Sequence, residues 1–183
     1  MEYFNNYVII YLKLVIYMKD EDIVTSIDSY SDLQIQRDKL KREMKRFIST
    51  NNRENKKTLD KAEKLLSKTE DALKTLHDDI MNDIKLLNEN ALNEISSSLF
   101  EKTLQFNAEI RDLNHKREEA VINAKEILIK RDISGEVSSD IMKDEYEPQI
   151  YDVESKIKIY RYFMDNIKYT LDDLDQQNTL GLK

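Results

Sequence analysis

At 183 residues, with a net charge of −7, two glycines, one proline and no cysteine, this chain excludes several classes at once. Its acidic balance argues against duplex nucleic acid as the main partner, since displacing counterions from phosphates needs clustered Lys and Arg, and the lack of cysteine excludes disulfides and thiolate chemistry, in keeping with a reducing cytosol or nucleus. Charged residues make up 36% and turn formers are scarce, so long helices in one rod, rather than two globular domains, are expected.

Residues 1–19 hold the one strongly apolar stretch, Tyr3 to Met18, whose single charge is Lys13. It is shorter than the roughly 20 apolar residues that span a bilayer. Beginning with Glu2, it also lacks the basic start and small-residue cleavage site of a signal peptide. Three readings stay open: a packed helix, an upstream stretch ahead of a start at Met18, or an N-terminal membrane anchor.

Residues 20–50 read as a polar lead-in followed by a first helix that Ser31 caps. Leu33, Leu40 and Phe47 then recur every seventh position, with Arg37 and Met44 between them. The basic run Arg37, Lys39, Lys41, Arg42, Lys45 and Arg46 surrounds this stripe and reads as the solvated flank of a coiled coil rather than an anion or lipid site. The repeat lapses over 49–55 (STNNREN), where Asn, Ser and Thr side chains compete for backbone hydrogen bonds.

Residues 56–131 form a long coiled-coil helix in this reading. Leu59, Ala62, Leu66, Thr69, Leu73, Leu76, Ile80 and Leu87 give one seam, with Asp83 as its charged core position. Leu92, Leu99, Phe106, Leu113, Ala120 and Ile127 give a second, with Ser96, Thr103, Ile110, Arg117, Ala124 and Arg131 four residues after each. The two registers do not match, so a slip is expected near 88–98, in the Asn- and Ser-rich NENALNEISSS. Unbroken from Leu59 to Arg131, such a helix would be about 110 Å long at 1.5 Å per residue. Arg117 and Arg131 on the seam favour a heteromeric partner that offers Glu opposite.

A loop follows at 132–140 (ISGEVSSD over 133–140), then a third helix at 141–168, in which Pro148 marks a kink or the effective start. Its seam is Ile150, Val153, Ile157, Tyr160, Met164 and Ile167. Alternation at Ile167, Tyr169 and Leu171 predicts a short strand over the 169–183 tail, with Asn178 to Leu182 as its return partner. The fold class is therefore all-α: long, discontinuous coiled-coil helices and a short C-terminal β-hairpin.

Chemistry-bearing groups are few. His77 and His115 are the only histidines, and the lone Asp112-x-x-His115 spacing lacks the second pair a di-iron bundle requires. Neither a Gly-rich phosphate loop nor an HExxH helix is present, and no Ser stands beside a rigidly held histidine, so no enzyme, catalytic residue, metal site or cofactor is expected. Tyr160 falls on the seam, whereas Tyr151, Tyr162 and Tyr169 are candidate partner contacts.

Ser155 to Leu182 (SKIKIYRYFMDNIKYTLDDLDQQNTLGL) resembles the short Spc-type coiled-coil subunits of the NDC/HEC outer-kinetochore complex. Ile157, Ile159, Tyr160 and Arg161 match the turn that ends the family's coiled coil, and Ile167, Tyr169 and Leu171 its first strand. The resemblance implies a rod linking chromosomes to microtubules during cell division, in the nucleus at the kinetochore.

The expected function is thus a non-enzymatic structural subunit of a hetero-oligomeric assembly, whose partners are other coiled-coil chains. The expected partner-binding seam comprises Leu66, Leu73, Leu76, Ile80, Leu92, Leu99, Phe106, Ile110, Leu113, Ile127, Ile150, Val153, Ile157, Tyr160, Met164 and Ile167. Two alternatives remain: a membrane tether anchored by 3–18, and a helical-bundle adaptor in which 141–168 folds back on 92–131.

Overall fold

The computed structural model describes residues 22–49, 56–130 and 139–181. Four helices account for nearly all of them: α1 (Ile23–Ser49), α2 (Lys56–Leu86), α3 (Glu89–Lys130) and α4 (Ser139–Thr179). Residues 1–19, the connection through Asn51 to Asn55 and the loop around Gly135 lie outside the described residues.

Side-chain contacts fix the helix directions. Tyr30 meets His77 while Lys41 pairs with Glu70, so α1 and α2 run antiparallel. Phe106 stacks on Tyr160, and Lys116 further along α3 feels Tyr146 earlier in α4, so these two are antiparallel as well. Asp32–Lys156 and Lys39–Asp152 set α1 antiparallel to α4. Asp28 pairs with Lys102, and the neighbourhood of Asp32 and Ile35 reaches Glu109, so α1 runs parallel to α3. The result is an up-down-up-down four-helix bundle built of two hairpins. The α3–α4 and α1–α2 interfaces are the most extensive, those between the hairpins are smaller, and α2 and α3 touch little after their turn.

The chain reverses at Leu87–Asn88, which replaces the expected continuous 56–131 rod by two antiparallel helices. The local cause is a cap: the Asn88 side-chain carbonyl accepts the Ala91 amide at 3.0 Å and Glu89 follows in the first turn, where the helix dipole favours a carboxylate. The break thus falls at the edge of the expected slip, and the rest of 88–98 is regular helix, with Ser97 Oγ donating to the Asn93 carbonyl at 2.9 Å.

Three further expectations are corrected. Ser31 does not cap the first helix, which begins at Ile23, and it is buried in the helix interior at 1% exposure. Asp83 is exposed and the α2 stripe passes through buried Ile84 instead, because a four-residue step from Ile80 keeps the apolar side facing inward. The C-terminal strands are absent among the described residues: Ile167, Tyr169 and Leu171 are helical, with Ile167 fully buried and Tyr169 exposed, since docking on the other helices outweighs a local β-like alternation. Gly181 at φ 64° ends α4 rather than turning a hairpin, the left-handed conformation being the usual helix terminator. Pro148 lies inside α4, which starts nine residues earlier than that proline, at Ser139.

The core concentrates where α2 turns into α3, hereafter the turn end. Ile23, Ile27, Leu76, Ile80, Ile84, Leu92, Leu99, Tyr160, Phe163 and Ile167 form one buried cluster contributed by all four helices. Ile23 and Ile27 belong to the stretch that reads in the sequence as a polar lead-in.

Candidate partner-binding face

Most of the expected seam is used within the chain. Leu73, Leu76, Ile80, Leu92, Leu99, Val153, Ile157, Tyr160 and Ile167 are buried in the bundle, so they hold the hairpins together and present nothing to solvent. Leu66, Phe106, Ile110, Leu113, Ile150 and Met164 are half-buried, and Ile127 is 51% exposed. The helix of the third seam does fold back on 92–131, as α4 against α3.

The burial of α3 changes along its length. Leu92, Leu99 and Thr103 are buried, but no described residue of α3 beyond Thr103 is, although the heptad stripe continues through Phe106, Ile110, Leu113, Arg117, Ala120 and Ala124. In its last turns, away from the turn end, apolar residues stand on two opposite sides of the helix. Ala120, Ala124 and Ile127 lie on the seam, while Ile122 and Ile129, 56% and 79% exposed, fall on the opposite side at about 100° per residue. Apolar residues on two sides of one helix call for cover on both, and among the described residues α4 supplies it on one side only. Nearer the turn end, Phe100 and Leu104 add a second exposed apolar pair on the flank of α3. Sequence reasoning missed these four because it followed one stripe; Ile122 and Ile129, seven apart, were the available signal.

The polar groups are arranged between helices. Four of the six basic residues of α1 are paired with carboxylates of the molecule: Lys39 and Arg42 reach Asp152 at 2.6 and 3.5 Å, Lys41 reaches Glu70 at 2.7 Å and Arg37 reaches Asp38 at 2.7 Å. Tyr151 lies beneath the Arg42 guanidinium, 4.9 Å from its centre. His77 packs among Tyr30, Tyr162 and Phe163, and its Nε2 is 2.8 Å from the Tyr162 hydroxyl, which ties α2 to α4. Burial pushes the Tyr30 phenol above its ordinary value of 10.0, with the neighbouring Tyr162 adding to the rise and Arg37 opposing it.

His115 projects into solvent, 3.6 Å from Glu119, while Asp112 pairs with Lys116 at 2.6 Å instead of with the histidine. Its hydrogen bond to Asp112, with the charge attraction behind it, raises the Lys116 ammonium above its usual value. Among the described residues, no group of three or more His, Asp or Glu side chains is gathered to hold a metal ion. Nor is any described helix long and apolar enough to cross a membrane; the Tyr3–Met18 stretch lies outside the described residues.

Comparison with known proteins yields no significant match to a family model, a curated protein or a solved structure.

Proposed function

We propose that this chain is a non-enzymatic helical-bundle subunit that docks helices of another protein against the far end of α3. The observation that carries this reading is the apolar surface of that end: Ile122, Ile127 and Ile129 are more than half exposed on two sides of one helix. Isolated surface aliphatics are ordinary, but exposed aliphatics on two sides of a helix that is packed along one of them mark an interaction surface. Arg117, half-buried on the seam, gives such a surface a charged position that a partner carboxylate would satisfy, which favours a different chain over a second copy. A kinetochore rod, the assembly implied by the C-terminal resemblance, is one member of this class, and the proposal does not depend on the strand that the resemblance implied.

The test is capture of partners by the full chain and by an Ile122→Glu, Ile129→Glu variant. Specific partners that bind the wild type and are lost by the variant, at unchanged helicity, support the reading. Equal capture by both, or a wild type that binds nothing in extracts of its own cells, overturns it.

A further inference from the structure

The α1 helix carries two rows of different chemistry. Tyr30, Leu33, Arg37, Leu40 and Lys41 share the side that meets α2, where Leu33 and Leu40 are buried. On the opposite side, Asp28, Asp32, Ile35, Lys39 and Arg42 follow one another at steps of four and three, the spacing of a packing seam, yet only Ile35 is apolar. This ionic row is what α1 offers to α3 and α4. Asp28 pairs with Lys102, Asp32 with Lys156 at 2.9 Å, and Lys39 and Arg42 share Asp152.

The packing there is incomplete. A cavity of about 350 Å³ opens between α1, α3 and α4, lined by Ile35, Glu109, Val153 and the ion-paired side chains. Asp28 Oδ1 and Ser31 Oγ are buried without a hydrogen-bond partner among the described residues, and Asp152 Oδ1 has only the 3.5 Å ion-pair approach of Arg42. Buried polar atoms left unsatisfied weaken an interface, and ion pairs open to water weaken further as salt screens them. By contrast, α1 meets α2, and α3 meets α4, over larger surfaces.

We infer that the ionic row of α1 is a latch: the α1–α2 hairpin swings away from α3–α4 about the apolar cluster at the turn end when these charges are screened or competed for. This rests on the partner face proposed above and deepens it. Opening uncovers Phe106 and Ile110 on α3 with Val153 and Ile157 on α4, a stripe continuous with the seam that ends at Ile127. A partner helix with an apolar heptad stripe then occupies the place of α1, and its carboxylates and lysines compete for the same ion pairs.

The absence of cysteine makes the motion measurable by site-directed labels on the full chain. Spin labels at Lys45 and Glu154 report across the latch, and labels at Glu118 and Glu147 report within the α3–α4 pair; all four positions are exposed. Raising salt from about 0.01 M to about 1 M, which cuts the screening length from about 30 Å to about 3 Å, is expected to shift the first pair to a longer-distance population and leave the second unchanged. Asp152→Lys is expected to produce the same shift at low salt, and Lys39→Glu with Arg42→Glu in that background to reverse it. Should Asp152→Lys fail to fold, the salt titration of the otherwise unaltered chain decides alone. A Lys45–Glu154 distance constant across the titration overturns the latch, whether or not Ile122→Glu, Ile129→Glu abolishes capture. A lengthened distance with capture insensitive to that double variant supports the latch and overturns the docking face.

Discussion

The two halves of α3 share one periodicity and have opposite surroundings. From Leu92 to Thr103 the stripe is closed over by the other three helices, with Leu92 and Leu99 at 0% exposure. Beyond Ile110 the same stripe is only half-covered, although it is at least as regular in sequence. Heptad spacing therefore states that a face requires cover and leaves open which surface provides it. Where the described helices supply cover, the outcome is a core; where they do not, apolar residues stay exposed.

The sharpest way to break this comparison is to truncate matched side chains on either side of the boundary. Phe163→Ala, which empties the centre of the turn-end cluster, should destabilise by about 3–5 kcal/mol, and Leu99→Ala by about 2–5 kcal/mol. Leu113→Ala, on the same stripe but half-exposed, should cost only about 1 kcal/mol. Chemical denaturation of the three variants decides it: equal losses at Leu99 and Leu113 would mean that the far half is as well packed as the turn end.

The reversal that creates the two halves depends on a cap. Replacing the Asn88 side chain by Ala leaves the Ala91 amide without its acceptor, so about 1 kcal/mol of stability should be lost in the same assay. No change would move the cause of the turn from the cap to the packing of Ile84 and Leu92.

Alkaline pH offers a smaller, sign-specific probe of the turn end. The Tyr30 phenol is held above its ordinary value, so the fold favours the neutral form. That contribution is fully present below the unfolded value near pH 10 and is lost as pH rises through the higher folded value. Thermal midpoints should therefore fall more steeply above about pH 10 in the wild type than in Tyr30→Phe; identical slopes would show that Tyr30 ionises freely. Smallest of all, Ile129→Glu should change stability by less than about 0.5 kcal/mol, because its side chain is already in solvent. A large loss there would mean that α3 is covered on its back as well.

Legibility followed the same division. The half-buried and buried stripes of α2, α3 and α4 were readable as apolar positions at three- and four-residue steps, from Leu73 through Ile80 and from Ile150 through Ile167. Ile23 and Ile27 were not, because two isoleucines among Asp, Ser and Thr resemble a polar lead-in until α2 and α3 converge on them. The strand expected at Ile167–Leu171 failed for the converse reason. Three alternating apolar residues carry a weak β signal, and burying Phe163 and Ile167 against three other helices requires helical spacing. On the candidate face, Ile127 was legible from its register, whereas the seven-residue spacing of Ile122 and Ile129 gained meaning only once α4 was seen on the other side.

The amino-acid sequence alone determined that this protein is helical, that its apolar register slips near 88–98, and which positions seek burial, since these follow from residue propensity and spacing along one chain. Which surfaces meet was decided by the tertiary structure. A two-residue turn folds the long rod back on itself, α1 lays a row of charges against α4, and among the described residues the far end of α3 keeps exposed apolar side chains, because periodicity is a property of one helix and cover a property of its neighbours.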